Sequence, residues 1–162
     1  MTSHTSECLR ELVEAFGDDI IKDGILDRRA LASLVFGAQD SAEKCDRLNK
    51  ITHKHVLQEV RRRLILLREE NNVAAVVDAP LLFESGFNSE CDFIIAVIAD
   101  AELRIQRIVA RDNITVEHAA SRIRAQKSDD WLRAHANFVI TNNGGISELS
   151  RQVEKAYEMI IN

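Results

Sequence analysis

Three stretches of this sequence carry residue types whose order could do chemistry. Asp78 closes an apolar run at residues 74–79 and leads into Pro80-Leu81-Leu82-Phe83-Glu84. In open parallel sheets, ligands collect beyond the carboxyl ends of strands. A carboxylate there can reach a magnesium-bound water beside nucleotide phosphates; capping the following turn is the plainer role. Leu81 and Leu82 could wall a pocket for an apolar ligand arm, with Glu84 at its mouth. A turn buried against the next helix gives the same pattern.

Arg104, Arg107 and Arg111 stand at i, i+3 and i+7, so they share one helix face. Arg122 and Arg124 follow on the next helical stretch. Phosphoryl transfer needs positive charge over the equatorial oxygens of the moving group, and arginines on a closing lid supply it. A solvated face paired with Glu102, Asp112 and Glu117 is the alternative. The third stretch is Asn142-Asn143-Gly144-Gly145, between a strand pattern and a helix pattern. Backbone and amide groups in such a turn can read an adenine edge, while Asn-Gly and Gly-Gly are also ordinary turn formers.

Other candidates are weaker. His53 and His55 at i, i+2 do not face each other on a helix, which suits a shared metal poorly. Either could meet a phosphate or be an ordinary helical histidine. Arg61-Arg62-Arg63 points around a helix and reads mainly as solvated surface. Trp131 and Tyr157 are lone aromatics that suit packing. No Gly-x-Ser-x-Gly or His-Glu-x-x-His occurs, so hydrolase chemistry gains no support.

The elements that must position these residues differ between the two halves. Residues 6–70 read as all-helical: Leu9, Leu12, Val13 and Phe16 recur at helical spacing, and Gly17 suits a C-cap. Asp27 should cap a helix to about Phe36. Asp40-Ser41-Ala42-Glu43 resembles a capping box opening a long helix to about Glu70, with a break allowed near His53 to His55. From residue 74 the pattern changes. Residues 74–79, 93–99 and 138–141 are near-continuous apolar runs of strand length, which suits strands covered on both faces. Helical stretches at 101–111, 116–126, 129–136 and 147–160 separate or follow them, with Asp100 and Ser147 as candidate caps. Alternating strands and helices indicate an α/β fold with a parallel sheet. Three strands are few for such a sheet.

Composition narrows the class. The 162 residues are 46% hydrophobic and 29% charged, ordinary for a globular domain with a core. The net charge of −5 argues against nucleic-acid binding by overall charge, though a local basic pocket for phosphates is compatible. Three scattered cysteines, with no C-x-x-C, suit reduced thiols in a cytoplasmic protein. No signal-peptide pattern or membrane-length apolar run occurs.

Taken together, Pro80-Leu81-Leu82-x-Glu84, Arg107-x-x-x-Arg111-Asp112, Ala125-Gln126 and Val139-Ile140-Thr141-Asn142-Asn143-Gly144 resemble the dephospho-CoA kinase family in order and spacing. Residues 12–36 resemble the family's helical segment, and His53-Lys54-His55-Val56 its His-Pro-x-Ile element without the proline. Asn137 and Thr141 replace residues that are usually acidic. The resemblance implies a P-loop NTPase-like parallel sheet sandwiched by helices, with an inserted helical CoA domain at 1–72. The remaining core would be 73–162, with a lid at about 107–127. It implies ATP with Mg2+, dephospho-CoA as substrate, and transfer of the γ-phosphoryl to the ribose 3′-hydroxyl. Arg107 and Arg111 would be catalytic, Asn142, Asn143 and Gly144 would hold the nucleotide, and His53, Asp78, Leu81, Leu82 and Glu84 would bind substrate.

The family's Gly-x-x-x-x-Gly-Lys-Ser/Thr loop has no counterpart among these 162 residues. The expectation is that a preceding segment supplies that loop, its metal-binding Ser/Thr and an Asp-x-Asp general base. That segment would also bring the strand between residues 74–79 and 93–99. A catalytically silent nucleotide-binding or interaction module, or another nucleoside or nucleotide kinase, are the rival readings.

Overall fold

The computed structural model describes residues 3–37 and 40–161, which form two compact units, Met1–Ser85 and Gly86–Asn162. In the first unit, α1 (Ser3–Phe16) ends at Gly17, whose N–H donates to the Val13 carbonyl at 2.8 Å. A short 3-10 turn (Asp18–Ile20) then leads into β1 (Ile21–Lys22) and β2 (Ile25–Leu26), an antiparallel hairpin.

That hairpin corrects the all-helical expectation for residues 6–70. Its two-residue turn, Asp23-Gly24, has φ of 53° and 75°. Positive φ at both central positions matches the twist of paired strands, and Asp-Gly tolerates it.

Asp27 caps α2 (Arg28–Phe36) as expected: its carboxylate accepts from the N–H groups of Arg29 and Ala30 at 2.9 and 3.0 Å. Those bonds, Ala30's foremost, hold its carboxyl below the usual range. The long helix α3 (Ser41–Glu69) runs 29 residues without a break at the histidines. Asp40 occupies its N-cap position but makes no side-chain capping bond. Leu12, Phe16, Ile20, Leu31 and Val35 form the core of this unit, with Leu48 and Ile51 of α3 packed against it. Ile20 and Val35 are fully buried.

Residues 74–79 do not form the expected strand. They carry no ladder pairing, and Val76 is 90% exposed. Apolar, β-branched residues favour a strand only where a neighbour satisfies their N–H and C=O groups. None of the described residues does so here.

In the second unit, a 3-10 turn (Phe87–Glu90) precedes β3 (Ile95–Ile98), α4 (Ala101–Asp112), α5 (Val116–Arg124), α6 (Asp129–His135), β4 (Phe138–Thr141) and α7 (Ile146–Ile161). β3 and β4 pair in parallel, from Ile95↔Phe138 to Ile98↔Thr141. Parallel neighbours need a crossover, and the three intervening helices provide it. The architecture is α/β, with a parallel sheet and helices.

β3 is not covered on both faces: Ala96 and Ile98 are buried while Val97 is 60% exposed. Thr115 caps α5 through the His118 N–H, and Ser128 caps α6 through that of Trp131. Asp100 precedes α4 without a side-chain cap bond, and Ser147 lies inside α7. Among the described residues, no helix is long and apolar enough to cross a membrane.

Candidate active site

The second unit builds its site at the carboxyl ends of β3 and β4. The Asn142 N–H donates to the Ile98 carbonyl at 2.8 Å, extending the ladder by one bond. The Asn143 Oδ1 then accepts from the Asp100 N–H at 2.9 Å, tying the turn after β4 to the residue just before α4. Arg107, on α4, donates from Nη1 to the Asn142 carbonyl at 2.9 Å. From α7, Gln152 pairs with the last residue of β4: Thr141 N–H donates to Oε1 at 2.8 Å, and Nε2 donates to the Thr141 carbonyl at 3.0 Å. The Gly145 carbonyl accepts from the N–H groups of Glu148 and Leu149, opening α7. A side chain at Gly144 would have to displace the Glu148 carboxylate.

Asn142, Asn143, Gly144 and Arg107 are therefore brought together, in a turn held at the Asn142 backbone and the Asn143 side chain. Sequence reasoning missed two of its supports. The Asp100 N–H is a backbone group with no side-chain signature. Gln152 is one polar residue among many on an amphipathic helix.

The three arginines of the shared helix face go to three destinations. Arg104 Nη2 lies 3.1 Å from Asp129 Oδ1 on α6. Arg104 and Asp129 line a cavity of about 360 Å³ together with Arg124 and Lys127. Arg107 holds the turn. Arg111 makes a two-pronged pair with Asp112, Nε to Oδ1 at 2.7 Å and Nη2 to Oδ2 at 3.1 Å. Arg122 of α5 adds Nη1 to the same Oδ2 at 2.7 Å. Arg111, with Arg122 adding to it, holds the Asp112 carboxyl below its ordinary range. Two guanidinium groups are thus gathered on one half-buried carboxylate where α4 gives way to α5. Trp131 stacks on His135, with ring centroids 3.8 Å apart, and so packs as its isolation in the sequence suggests.

The remaining candidates lie in the first unit. His53 is half-buried on α3, and its Nε2 is buried with no hydrogen-bond partner. Such atoms are rare in native folds and point to a missing partner. His55 is buried, with Nε2 3.2 Å from Glu11 Oε1 at an angle too poor for a good hydrogen bond. Lys54 Nζ reaches the same oxygen at 2.7 Å, and that bond foremost holds the Glu11 carboxyl below its usual range. Glu11 is another support that sequence reasoning missed. Asp78 is exposed at the end of its unpaired run, Leu81 is 45% exposed, Leu82 is half-buried and Glu84 is exposed. Turn bonds from Leu82 N–H to Ala79 and from Ser85 N–H to Leu81 shape this stretch.

The parallel strand pair with its helical crossover, and the pinned turn beyond its carboxyl ends, give an α/β architecture with a candidate ligand site at the strand ends. The family model for dephospho-CoA kinases matches residues 1–148. The dephospho-CoA kinase of Corynebacterium glutamicum is 36% identical over 154 residues, spanning 94% of this chain and 76% of that protein. That of Moorella thermoacetica is 39% identical over 151 residues, spanning 92% and 70%. A crystal structure from Thermus thermophilus superposes with a TM-score of 0.71 at 30% identity, covering 96% of this chain and 78% of its own. The dephospho-CoA kinase from Campylobacter jejuni superposes at 0.65 with 26% identity, covering 94% and 75%. The chain belongs to the dephospho-CoA kinase family.

Proposed function

We propose that this chain belongs to an enzyme that transfers the γ-phosphoryl group of ATP to the ribose 3′-hydroxyl of dephospho-CoA, yielding CoA and ADP. The observation that carries this reading is the turn at residues 142–145, held at the carboxyl ends of two parallel strands by Arg107 and the Asn143 side chain. In α/β sheets that is where nucleotides bind.

Adenine binds against Asn142, Asn143 and Gly144, with the backbone beyond the already engaged Asn142 groups offering N–H and C=O partners to its edge. The helices around residues 107–127 act as the lid. Arg111 and Arg122 stand 2.7 Å from one carboxylate, so a phosphate that competes with Asp112 meets two guanidinium groups at once. Exchanging one anion for another suits a lid that closes on its nucleotide. Arg107 steadies the turn and brings positive charge beside it.

Residues 1–72 form the region that takes dephospho-CoA. The unpartnered Nε2 of His53 supports a phosphate contact there. Leu81 and Leu82 supply apolar wall, and Glu84 an acceptor, for the substrate arm. Magnesium would neutralise charge on the nucleotide phosphates. Among the described residues no group of three or more His, Cys, Asp or Glu side chains could hold a metal ion. A nucleotide-borne magnesium asks for only one or two carboxylates from the protein.

The test is ATP-dependent conversion of dephospho-CoA to CoA by the protein as its native cell makes it, followed by mass spectrometry. Adenosine, AMP and other nucleosides serve as competing acceptors. No transfer to dephospho-CoA, or faster transfer to another acceptor, would overturn the reading.

A further inference from the structure

We infer that Gln152 is a positioning residue for the nucleotide-binding turn, acting through the backbone of Thr141; this rests on the kinase reading above. The residue lies beyond the span matched by the family model, which ends at 148. It is half-buried on α7, and its amide makes both hydrogen bonds that a neighbouring strand would offer Thr141. An acceptor meets the N–H, and a donor meets the C=O of the same residue.

The next peptide is the first of the turn. Asn142 N–H is held by Ile98 and its carbonyl by Arg107, while Asn143 is held through its side chain by Asp100. Those three bonds all run toward β3 and α4. Only the Gln152 pair, among the bonds described at Thr141 to Asn143, comes from the α7 side. Without it, β4 can rotate about its own axis at Thr141, and the turn's N–H and C=O groups swing with it. A Leu at this position keeps the bulk and loses both bonds. A Glu keeps an acceptor for the Thr141 N–H but, when ionised, sets a carboxylate against the Thr141 carbonyl. When protonated it can again donate to that carbonyl and restore the pair.

The experiment compares wild type, Gln152→Leu and Gln152→Glu in the protein as its native cell makes it, with Glu154→Gln as an exposed control on the same helix. Equilibrium ATP binding and amide hydrogen exchange at residues 141–144 are read for each, along with folded content by circular dichroism. The expected result is ATP binding weakened about tenfold in Gln152→Leu, the scale of two lost neutral hydrogen bonds. Exchange at 141–144 should quicken while that of β3 stays unchanged. The deficit of Gln152→Glu relative to wild type should shrink as pH falls from about 7 to about 5, toward the carboxyl range.

ATP binding unchanged in Gln152→Leu overturns the inference, as does a Gln152→Glu deficit that ignores pH. Uniformly faster exchange across the second unit also overturns it, because the residue would then serve stability alone. Wild type that binds ATP but does not phosphorylate dephospho-CoA overturns the kinase reading instead, and the binding comparison still decides the role of Gln152.

Discussion

Arg107 and Asn142 are joined by a guanidinium-to-carbonyl hydrogen bond of 2.9 Å that links α4 to the turn after β4. The cation expected to face phosphates is thereby also a brace for the turn at residues 142–145. A hydrogen bond from a charged donor contributes about 1.5–3 kcal/mol. Arg107→Ala should therefore raise the KM for ATP by roughly ten- to a hundredfold, beyond any loss in turnover. Arg107→Lys keeps the charge but loses the planar fork, and should recover only part of that binding. Steady-state kinetics with ATP varied at saturating dephospho-CoA check this. Equal KM values in all three proteins would remove Arg107 from the site.

His53 gives a prediction of opposite sign for stability and function. Its Nε2 is buried without a partner, so the free protein gains little from the ring's polarity. His53→Leu should leave the melting temperature unchanged or higher. The same variant should raise the KM for dephospho-CoA about tenfold, as expected for a lost contact with a charged group, and leave that for ATP alone. A thermal melt and two KM titrations read both halves.

Glu59 on α3 supports a pH prediction. It accepts from Arg62 at 2.8 and 2.9 Å and from Arg63 at 2.7 Å. Arg62 first, then Arg63, pull its pKa from 4.5 to about 2. A depressed folded-state pKa contributes stability above the unfolded value and loses it as pH falls through the folded one. Wild type should therefore lose thermal stability faster than Glu59→Gln between pH 4.5 and about 2. The pair is exposed to solvent, so added salt should shrink the difference. Parallel stability curves for the two proteins would discount the pairing.

Ile20 tests the core of the first unit. It is fully buried in the cluster with Leu12, Phe16, Leu31 and Val35. Ile20→Ala should destabilise that unit by about 2–4 kcal/mol, through lost transfer energy and the cavity left behind. Ile20→Val should lose about 1 kcal/mol. Denaturant unfolding followed by circular dichroism measures both, and equal midpoints for the two variants would show that the site relaxes freely.

The helices were legible in the sequence because their signals are local. Asp27 two and three residues before the amides it caps, Gly17 after Phe16, and the apolar spacing of α1 all act within one or two turns. The hairpin at Asp23-Gly24 was equally local but was overlooked, since each strand is only two residues long and sits between helices. Residues 74–79 read as a strand from composition, yet pairing depends on a neighbour that composition cannot report. In the turn after β4, Asn142, Asn143 and Gly144 stand out by type. Their hydrogen-bond partners come from 35 and 43 residues away in sequence, at Arg107 and Asp100. That placement follows from the parallel register of β3 and β4, which no local pattern states.

The bond from Asp100 to the Asn143 side chain also bears on how this protein ages. Asn143 is followed by Gly144, the pairing in which the next backbone nitrogen meets least hindrance in attacking the side-chain amide carbon. Release of ammonia by that route forms a cyclic imide, which opens to aspartate or to a rerouted isoaspartyl backbone. With Oδ1 held by the Asp100 N–H at 2.9 Å, the amide is kept from turning freely toward that nitrogen. The bond that shapes the turn at residues 142–145 should thus also slow that decay.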